Sequence, residues 1–342
     1  MMRRSLTTAL FLATSTILPA QNSASPPSTL QTTTRLVIVP TLVQTPSKET
    51  VYSLHAEDFL LTDKGVPQKV HVDDEAHQPL SLVILMQTGG AAIQEFAKYS
   101  NLETMLAAML GNAPNQVSIV NFDSKPEAAS PFTSDIAQWT DAINHPDPGD
   151  DGAAIMDSLK YAMNLLAKQP AANRRAILLI SQPTDSGSKT TAKEILQISG
   201  ETNTAIYTLT FSPQLTEIKK SLREGGQGHP PLTVGKESYV TYFELTPALK
   251  MILGAMQKNA AAEVASLSGG EAAPFNNQHQ LDDGLATISN HLRNRYTLSF
   301  TPTSLDPGLH PLQVRLPNYP ELVVSARTSY WLGERQDSSS KQ

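Results

Sequence analysis

The chain has no cysteine in 342 residues. Disulfides, thiolate nucleophiles, cysteine-ligated zinc and a lipid-bearing N-terminal cysteine are therefore excluded, as is any disulfide-linked partner. Aromatic residues are scarce at 6%, and charged residues reach only 17%. There is no excess of cations either: 26 Lys and Arg face 32 Asp and Glu, for a net charge of −6. That balance argues against nucleic acid as a partner, because phosphate binding requires clustered Lys and Arg. What remains is an ordinary globular composition, 40% hydrophobic, in a length that allows about two domains. The 24 prolines point to several loops and edge strands.

The N-terminus reads as an export signal. Met1 to Arg4 are basic, Leu6 to Leu18 form an uncharged, mostly apolar run, and Pro19-Ala20 offers a small residue for cleavage. The run is short for a bilayer span and diluted by Thr and Ser. The expectation is a secreted or periplasmic protein cleaved near Ala20, associated with the membrane only if that segment is retained. Gln21 to Thr33, rich in Ser, Thr, Pro and Gln, read as a linker.

Beyond it, Leu36 to Val39 predict a strand. Phe59 to Leu61, Asp63-Lys64-Gly65 and then Val70 and Val72 predict a hairpin. Leu82 to Met86 and Ala176 to Ile180 are continuous apolar runs, the pattern of strands buried on both faces. Val117 to Val120 and Ala205 to Phe211 supply further strands. Helices are predicted up to about Leu110, through Ile155, Leu159, Met163 and Leu166, and over Ala192 to Ile198. One more is expected from Thr246-Pro247 to about Gly269, and a last one carrying Leu281, Leu285, Ile288 and Leu292. This βαβ alternation implies a mainly parallel sheet covered on both faces. Strand patterns return at Tyr296 to Phe300, Leu312 to Leu316 and Leu322 to Ala326. A few strands at each end cannot bury a core separately, so the terminal segments are expected to pair with each other. Ser212 to Tyr242, with several Gly and Pro, read as a long loop.

Motifs for catalysis are missing. None of the eight histidines forms an H-E-x-x-H pair, and there is no G-x-S-x-G elbow, Walker loop or G-x-G-x-x-G fingerprint. Arg174-Arg175, just ahead of a strand, reads as a solvated edge. The chain is expected not to be an enzyme.

Several segments together resemble a known family. Leu82 to Met86 followed by Gln87-Thr88-Gly89-Gly90-Ala91 occupies the place of the D-x-S-x-S strand end of von Willebrand factor A domains. Gly152 to Leu159 is similar to the family's G-T-A-L-Y-D-A-L helix start, and Arg175 to Gln182 to its fourth strand, which normally ends in Asp-Gly. His55 to Phe59, Asp63-Lys64-Gly65, Arg295 to Leu298 and Ser268 to Ala272 further resemble the acidobacterial VWFA-related group. The resemblance covers Leu36 to Trp331. It implies a Rossmann-like α/β domain with a central, mostly parallel sheet, inserted between terminal β segments that form a small sheet or sandwich.

That family normally holds magnesium with two carboxylates and three hydroxyls. Carried over residue by residue, the first Asp falls on Gln87 and the two Ser on Gly89 and Ala91. The Thr falls on Ala153 and the second Asp on Gln182. Two neutral amides and three side chains without oxygen do not offset the dehydration of a divalent ion. No cofactor and no metal are therefore expected. Thr88, Asp150, Asp151 and Asp185 lie on or beside the same loops; they could rebuild a weak metal site, or be solvated loop acids.

The expected division is 1–20 signal peptide, 21–33 linker, 34–76 N-terminal β segment, 77–294 α/β domain with a loop at 212–242, 295–332 C-terminal β segment and 333–342 disordered tail. The expected function is metal-free binding of a protein partner, not identified by the sequence. Its face would be Gln87, Thr88, Gly89, Ala91, Ala153, Gln182 and Asp185. The alternatives are a structural component of an envelope assembly with an idle site, and weak metal-dependent adhesion through a rebuilt one.

Overall fold

The computed structural model describes residues 36–73, 78–99, 101–110, 115–135, 137–144, 146–211 and 245–333. The expected signal peptide, linker, Ser212–Tyr242 loop and C-terminal tail lie outside the described residues, apart from Gly333.

A five-stranded parallel sheet forms the centre, in the order β6-β5-β7-β8-β9. Its strands are β5 (Leu80–Gln87), β6 (Gln116–Phe122), β7 (Arg174–Ser181), β8 (Ala205–Phe211) and β9 (Ala272–Phe275). The two continuous apolar runs, in β5 and β7, are neighbours, with Leu82 opposite Ala176 and Met86 opposite Ile180. Alternate residues of these runs enter opposite cores. Leu82, Ile84 and Met86 pack with α1 (Leu102–Leu110) and α7 (Gln278–Arg293). Val83 and Leu85 pack with α3 (Ile155–Ala167), α4 (Ala192–Thr202) and α6 (Ala260–Ser268). Both faces being covered is the reason the runs contain no polar alternation.

The terminal segments form two four-stranded antiparallel sheets. One has the order β12-β1-β10-β4, from β1 (Val37–Gln44), β4 (His71–Asp73), β10 (Tyr296–Phe300) and β12 (Val323–Ala326). The other has the order β13-β11-β2-β3, from β2 (Leu60–Asp63), β3 (Val66–Pro67), β11 (Gly308–Arg315) and β13 (Ser329–Leu332). They share one core, with Val37, Val39, Leu61, Leu298, Phe300, Leu312 and Leu332 all buried together. The α/β domain is thus inserted into a β-sandwich built from both ends of the described chain.

Three details differ from the sequence reading. The hairpin closes as β2–β3 across Lys64-Gly65, while Val72 crosses to the other sheet and pairs with Leu298. Alternation alone does not say which sheet a strand joins. The helix expected from Thr246 to Gly269 is two, α5 (Leu245–Lys258) and α6, because Asn259 leaves helical φ/ψ and its side chain accepts from Ala262 N–H as an N-cap. The stretch after β5 starts as a 3-10 helix, Gly90–Lys98, before α1. Elements with no sequence expectation are α2 (Ala137–Asn144), β9, β13 and a short 3-10 helix, Ala56–Asp58.

The sandwich is fastened to the α/β domain through α4. Gly200 lets β13 approach closely, since a Cβ there would sit 2.7 Å from the Trp331 backbone nitrogen. Arg327, 3% exposed, donates from Nε to Ser329 O, from Nη1 to Ile38 O and Asn203 Oδ1, and from Nη2 to Ser199 O, at 2.8–3.2 Å. Burial lowers its pKa to about 10. Arg295 makes a second bridge, donating to Gly269 O and to Glu271, and its guanidinium lies over the Tyr207 ring.

The sandwich core also contains a buried polar triad. His310, fully buried, faces Asp63 Oδ1 from Nδ1 at 2.9 Å and the Asp306 carbonyl from Nε2 at 2.7 Å. The Asp306 carbonyl can only accept, so Nε2 donates to it, while Nδ1 lies against both Asp63 and the Tyr330 hydroxyl. Tyr330 donates its hydroxyl to Asp63 Oδ2 at 2.7 Å, and burial with that carboxylate pushes the phenol pKa up. Removing one member leaves buried polar atoms without their partners. Asp63→Ala is expected to cost about 3–5 kcal/mol in urea unfolding, against less than about 1 kcal/mol for Lys160→Ala, which removes only the cation of the exposed Lys160–Glu194 pair.

Candidate functional site

The carboxyl ends of β5, β6 and β7 gather four loops at one end of the parallel sheet, the place where open α/β sheets put ligand sites. Gln87, the last residue of β5, is fully buried; Gln182 follows β7 and is half-buried. Their side chains lock together. The Gln182 N–H donates to Gln87 Oε1 at 2.9 Å, and Gln87 Nε2 donates to Gln182 Oε1 at 3.3 Å and to Gly89 O at 3.0 Å. Gln182 Nε2 in turn donates to Thr184 O at 2.8 Å. Both amides are used up in holding loop backbone.

Thr88, also fully buried, ties β5 to β6: its N–H and hydroxyl both donate to Phe122 O, at 2.8 and 3.3 Å. Gly89 is forced by crowding. A Cβ there would lie 2.2 Å from Asp150 O and 2.8 Å from Gly152 O. Ala91 is half-buried in the 3-10 helix. Ala153 is buried and exchanges two backbone bonds with Ser186, 3.3 and 2.9 Å. The structure thus brings Gln87, Thr88, Gly89, Ala153 and Gln182 to one end of the sheet, with Ala91 on the helix that follows.

Asp185 is not a solvated loop acid. Its Oδ1 accepts from Met156 N–H at 3.0 Å and from the Ser188 hydroxyl at 2.6 Å. It therefore caps α3 from outside, where the N-cap position is Ala154, which has no side chain able to do so. The rest of this loop is stapled to the same helix. Ser188 accepts from Asp157 N–H at 3.1 Å, and the Asp157 carboxylate accepts from Lys189 and Thr190 N–H at 3.1 and 2.7 Å. Burial raises the Asp157 pKa, but hydrogen bonds from Thr190 and Lys189 outweigh it and the net shift is downward. The loop ends in a capping box on α4, where Glu194 accepts from the Thr191 backbone and hydroxyl.

Asp123 was not singled out by sequence reasoning. It follows β6, is 9% exposed, and its carboxylate accepts from Lys125 and Asp150 N–H at 3.2 and 3.1 Å while its carbonyl accepts from Ala154 at 2.7 Å. An acid directly after a buried strand, at the end where ligands bind, was the available signal. Asp150 accepts from Ser124 N–H at 3.0 Å and Gly152 N–H at 2.8 Å, and the bond from the Ser124 hydroxyl is the main cause of its lowered pKa.

These residues do not fit the metal that the resemblance implies. The five ligand positions supply no carboxylate, and the amides present are committed to loop backbone. The neighbouring acids are engaged by backbone N–H groups: Asp123 and Asp150 tie the 123–125 and 150–152 loops together, and Asp185 caps α3. No group of three or more His, Asp or Glu is placed to hold a metal ion among the described residues. Beside this face a cleft of about 430 Å3 runs between the 185–193 loop and α5, with Met156, Leu253 and Met256 in its walls.

Residues 85–186 match the von Willebrand factor type A domain family. No curated protein sequence matches the chain. Among solved structures, the chain is similar to an aerotolerance-related membrane protein from Bacteroides fragilis, with 15% identity over 62% of this chain and 98% of that one and a TM-score of 0.40. It is also similar to the vWF domain of the type V pili tip protein Mfa5 from Porphyromonas gingivalis, at 21% identity over 32% and 39% of the chains and a TM-score of 0.29. A third similarity is to proximal thread matrix protein 1 from the mussel byssus, 11% identical over 67% and 49%, TM-score 0.43.

Two outcomes follow. Gly89→Ser, which restores a family hydroxyl, should not create a ligand: the added side chain meets Asp150 O, and the loss should be about 1–3 kcal/mol in thermal or urea unfolding. For acid, the sign follows from Glu194. Hydrogen bonds from Thr191 and Lys160 hold its pKa at about 2, below the ordinary 4.5. The folded state then binds fewer protons than the unfolded one, so stability is complete above about pH 4.5 and falls as pH drops toward about 2. Asp157 and Asp150 shift the same way. Urea midpoints across that window should fall in the parent and fall less in Glu194→Gln.

Proposed function

Residues 85–186 of this chain are a von Willebrand factor type A domain, and from that premise we propose that the protein is an exported, non-catalytic binding protein that captures a protein partner without a metal. The face is the sheet end at which Ala91, Gln182 and Asp185 reach the surface, while Gln87, Thr88, Gly89 and Ala153 are buried beneath it and hold its loops. The observation that carries this reading is the Gln87 amide, which accepts from the Gln182 backbone N–H and donates to Gln182 Oε1 where the family places its two metal-binding carboxylates. Two carboxylates without metal would repel each other and leave the loops unsettled; two amides bond to each other and to backbone. An already ordered face loses little entropy on docking, which favours association. The adjacent cleft, apolar at Met156, Leu253 and Met256 with Asp185, Thr190 and Lys193 at its sides, adds the mixed surface that protein contacts use.

Export rests on the signal pattern of residues 1–20, and places the mature protein outside the cell or in the periplasm. No helix among the described residues is long and apolar enough to cross a membrane.

The test pairs two measurements. Affinity purification from the native envelope with Gln182→Ala, checked for an unchanged unfolding midpoint, should lose the partner. Undiminished capture would shift the contacts to the β-sandwich and favour the structural reading. Thermal unfolding in millimolar magnesium, manganese or chelator should give one midpoint. An occupied site at a hundredfold excess of ion would add about 2.7 kcal/mol, so a saturable rise that Asp185→Ala abolishes would establish the metal-dependent alternative instead.

A further inference from the structure

The β-sandwich is open along one seam. β13 pairs with Gly308 to Pro311 and no further, while β11 runs on to Arg315. β12 is the outermost strand of the other sheet, and the chain crosses from it to β13 through Arg327 and Thr328. The crossing leaves a fork between β11 and β12, a groove of about 750 Å3, within the size range of ligand clefts. Leu312, Leu316 and Val324, all part of the sandwich core, are in its walls. Leu60, Tyr319 and Val323 line it as exposed apolar side chains.

Backbone polar groups face the groove from both sides. In an antiparallel ladder, successive residues turn their N–H and C=O in opposite directions. Lys64 N–H donates to Pro311 O on the β2 side, and Leu312 N–H donates to Thr328 O on the other. Val314 therefore turns away from β2, as Leu312 does, but lies past the point where the neighbouring chain leaves the sheet. On the opposite wall, Arg327 N–H donates to Pro40 O, so Val324 and Ala326 turn away from β1. Among the described residues no strand pairs with either of these edges. Free edges are ordinarily blunted by Lys, Pro or other charge, and β12, which reads Val-Val-Ser-Ala, has none of these.

The charged residues lining the groove are Arg315, Arg327 and Glu321, one positive in balance within a chain of net charge −6. The Arg327 donors are spent on Ser329, Ile38, Asn203 and Ser199. Arg315 is exposed and has no ion-pair partner among the described residues. We propose that the groove receives an extended segment of a partner protein as an added β-strand, with aliphatic residues at alternate positions and an acidic residue beside Arg315. The edge at Val314 supplies main-chain bonds, the apolar walls select side chains, and Arg315 sets the charge. This surface is on the sandwich and does not depend on the sheet-end face.

The probe is the acetylated, amidated pentapeptide Thr-Val-Asp-Val-Thr, titrated into the full chain. Two controls accompany it, one with Lys in place of Asp and one N-methylated at every residue. The amide resonances of Val314, Val324 and Ala326 should shift saturably with the Asp peptide. The N-methylated peptide should bind about tenfold more weakly or worse, and the Lys peptide about two- to fivefold more weakly. Arg315→Glu, at an exposed position, should reverse the preference between Asp and Lys. Resonances that stay fixed to the solubility limit of the Asp peptide would overturn the proposal. Equal binding of the N-methylated peptide, or a charge preference that Arg315→Glu leaves unchanged, would do so too. Slow hydrogen exchange at Val314 and Val324 before any peptide is added would also overturn it, because the edge would already be covered. Protection lost on dilution would then identify a second copy as the occupant, and protection kept would identify this chain itself.

Discussion

Arg327 is a cation taken out of water, and among the described residues no carboxylate pairs with it. Its guanidinium is held instead by oxygens from three places: Ser329 beside it, Ile38 in β1, and Ser199 and Asn203 at the C-terminal end of α4. A helix C-terminus is the one backbone feature that offers partial negative charge in quantity, which is why α4 is the right neighbour for an uncompensated cation. Burying such a group is unfavourable, as the fall in its pKa records, and the cost is met only if every donor finds its oxygen. The arrangement therefore tolerates little displacement of α4 against the sandwich. From α4 the constraint continues through contiguous bonds: the Thr191–Glu194 box fixes the start of the helix, and the 185–190 loop before it caps α3, whose first residues carry Ala153 to the sheet end.

At that sheet end the chemistry is one of substitution by neutral groups. Gln87 and Gln182 keep the reach and the hydrogen-bonding capacity of longer acids but carry no charge, and each amide both donates and accepts. A pair of them can close a bonded ring between neighbouring strands that a pair of carboxylates cannot. Gly89 and Ala153 complete the change by letting backbone come close where hydroxyls would project. The loops are consequently filled by protein, with Asp123 and Asp150 tying two of them together and Asp185 capping α3.

Much of this was legible in the residue order. The buried parallel strands announced themselves as continuous apolar runs, and the pairing of the two terminal β segments followed from the inability of either to bury a core alone. The five neutral positions could be read off one by one once the resemblance was in hand. What escaped was whatever depends on through-space partners. Val70 and Val72 alternate in the same way whichever sheet receives them. Asn259 sits in an apolar periodic stretch, and only its φ/ψ reveals that it ends one helix and starts the next. Trp331 and Tyr330 lie in a strand of only four residues, too short for a pattern. Asp185 looked like a turn residue because its work is done on a helix thirty positions away, and Arg174-Arg175 looked solvated because the carbonyls of Leu292, Thr202 and Gln169 that accept from them lie outside their strand.

The pairing of β1 with β10 and β12 has a consequence for biosynthesis. β1 is made before the whole α/β domain, and the strands that flank it in the sheet are made after. Through most of translation its apolar face, Val37, Val39 and Val43, has no sheet to join. Closing that sheet requires the longest-range contacts in the molecule, the kind that forms slowly. The inserted domain, whose strands are connected through local helices, can reach its native form first and then hold the two ends of the sandwich within reach of each other. In this chain the interior of the sequence acts as the scaffold on which its outer segments meet.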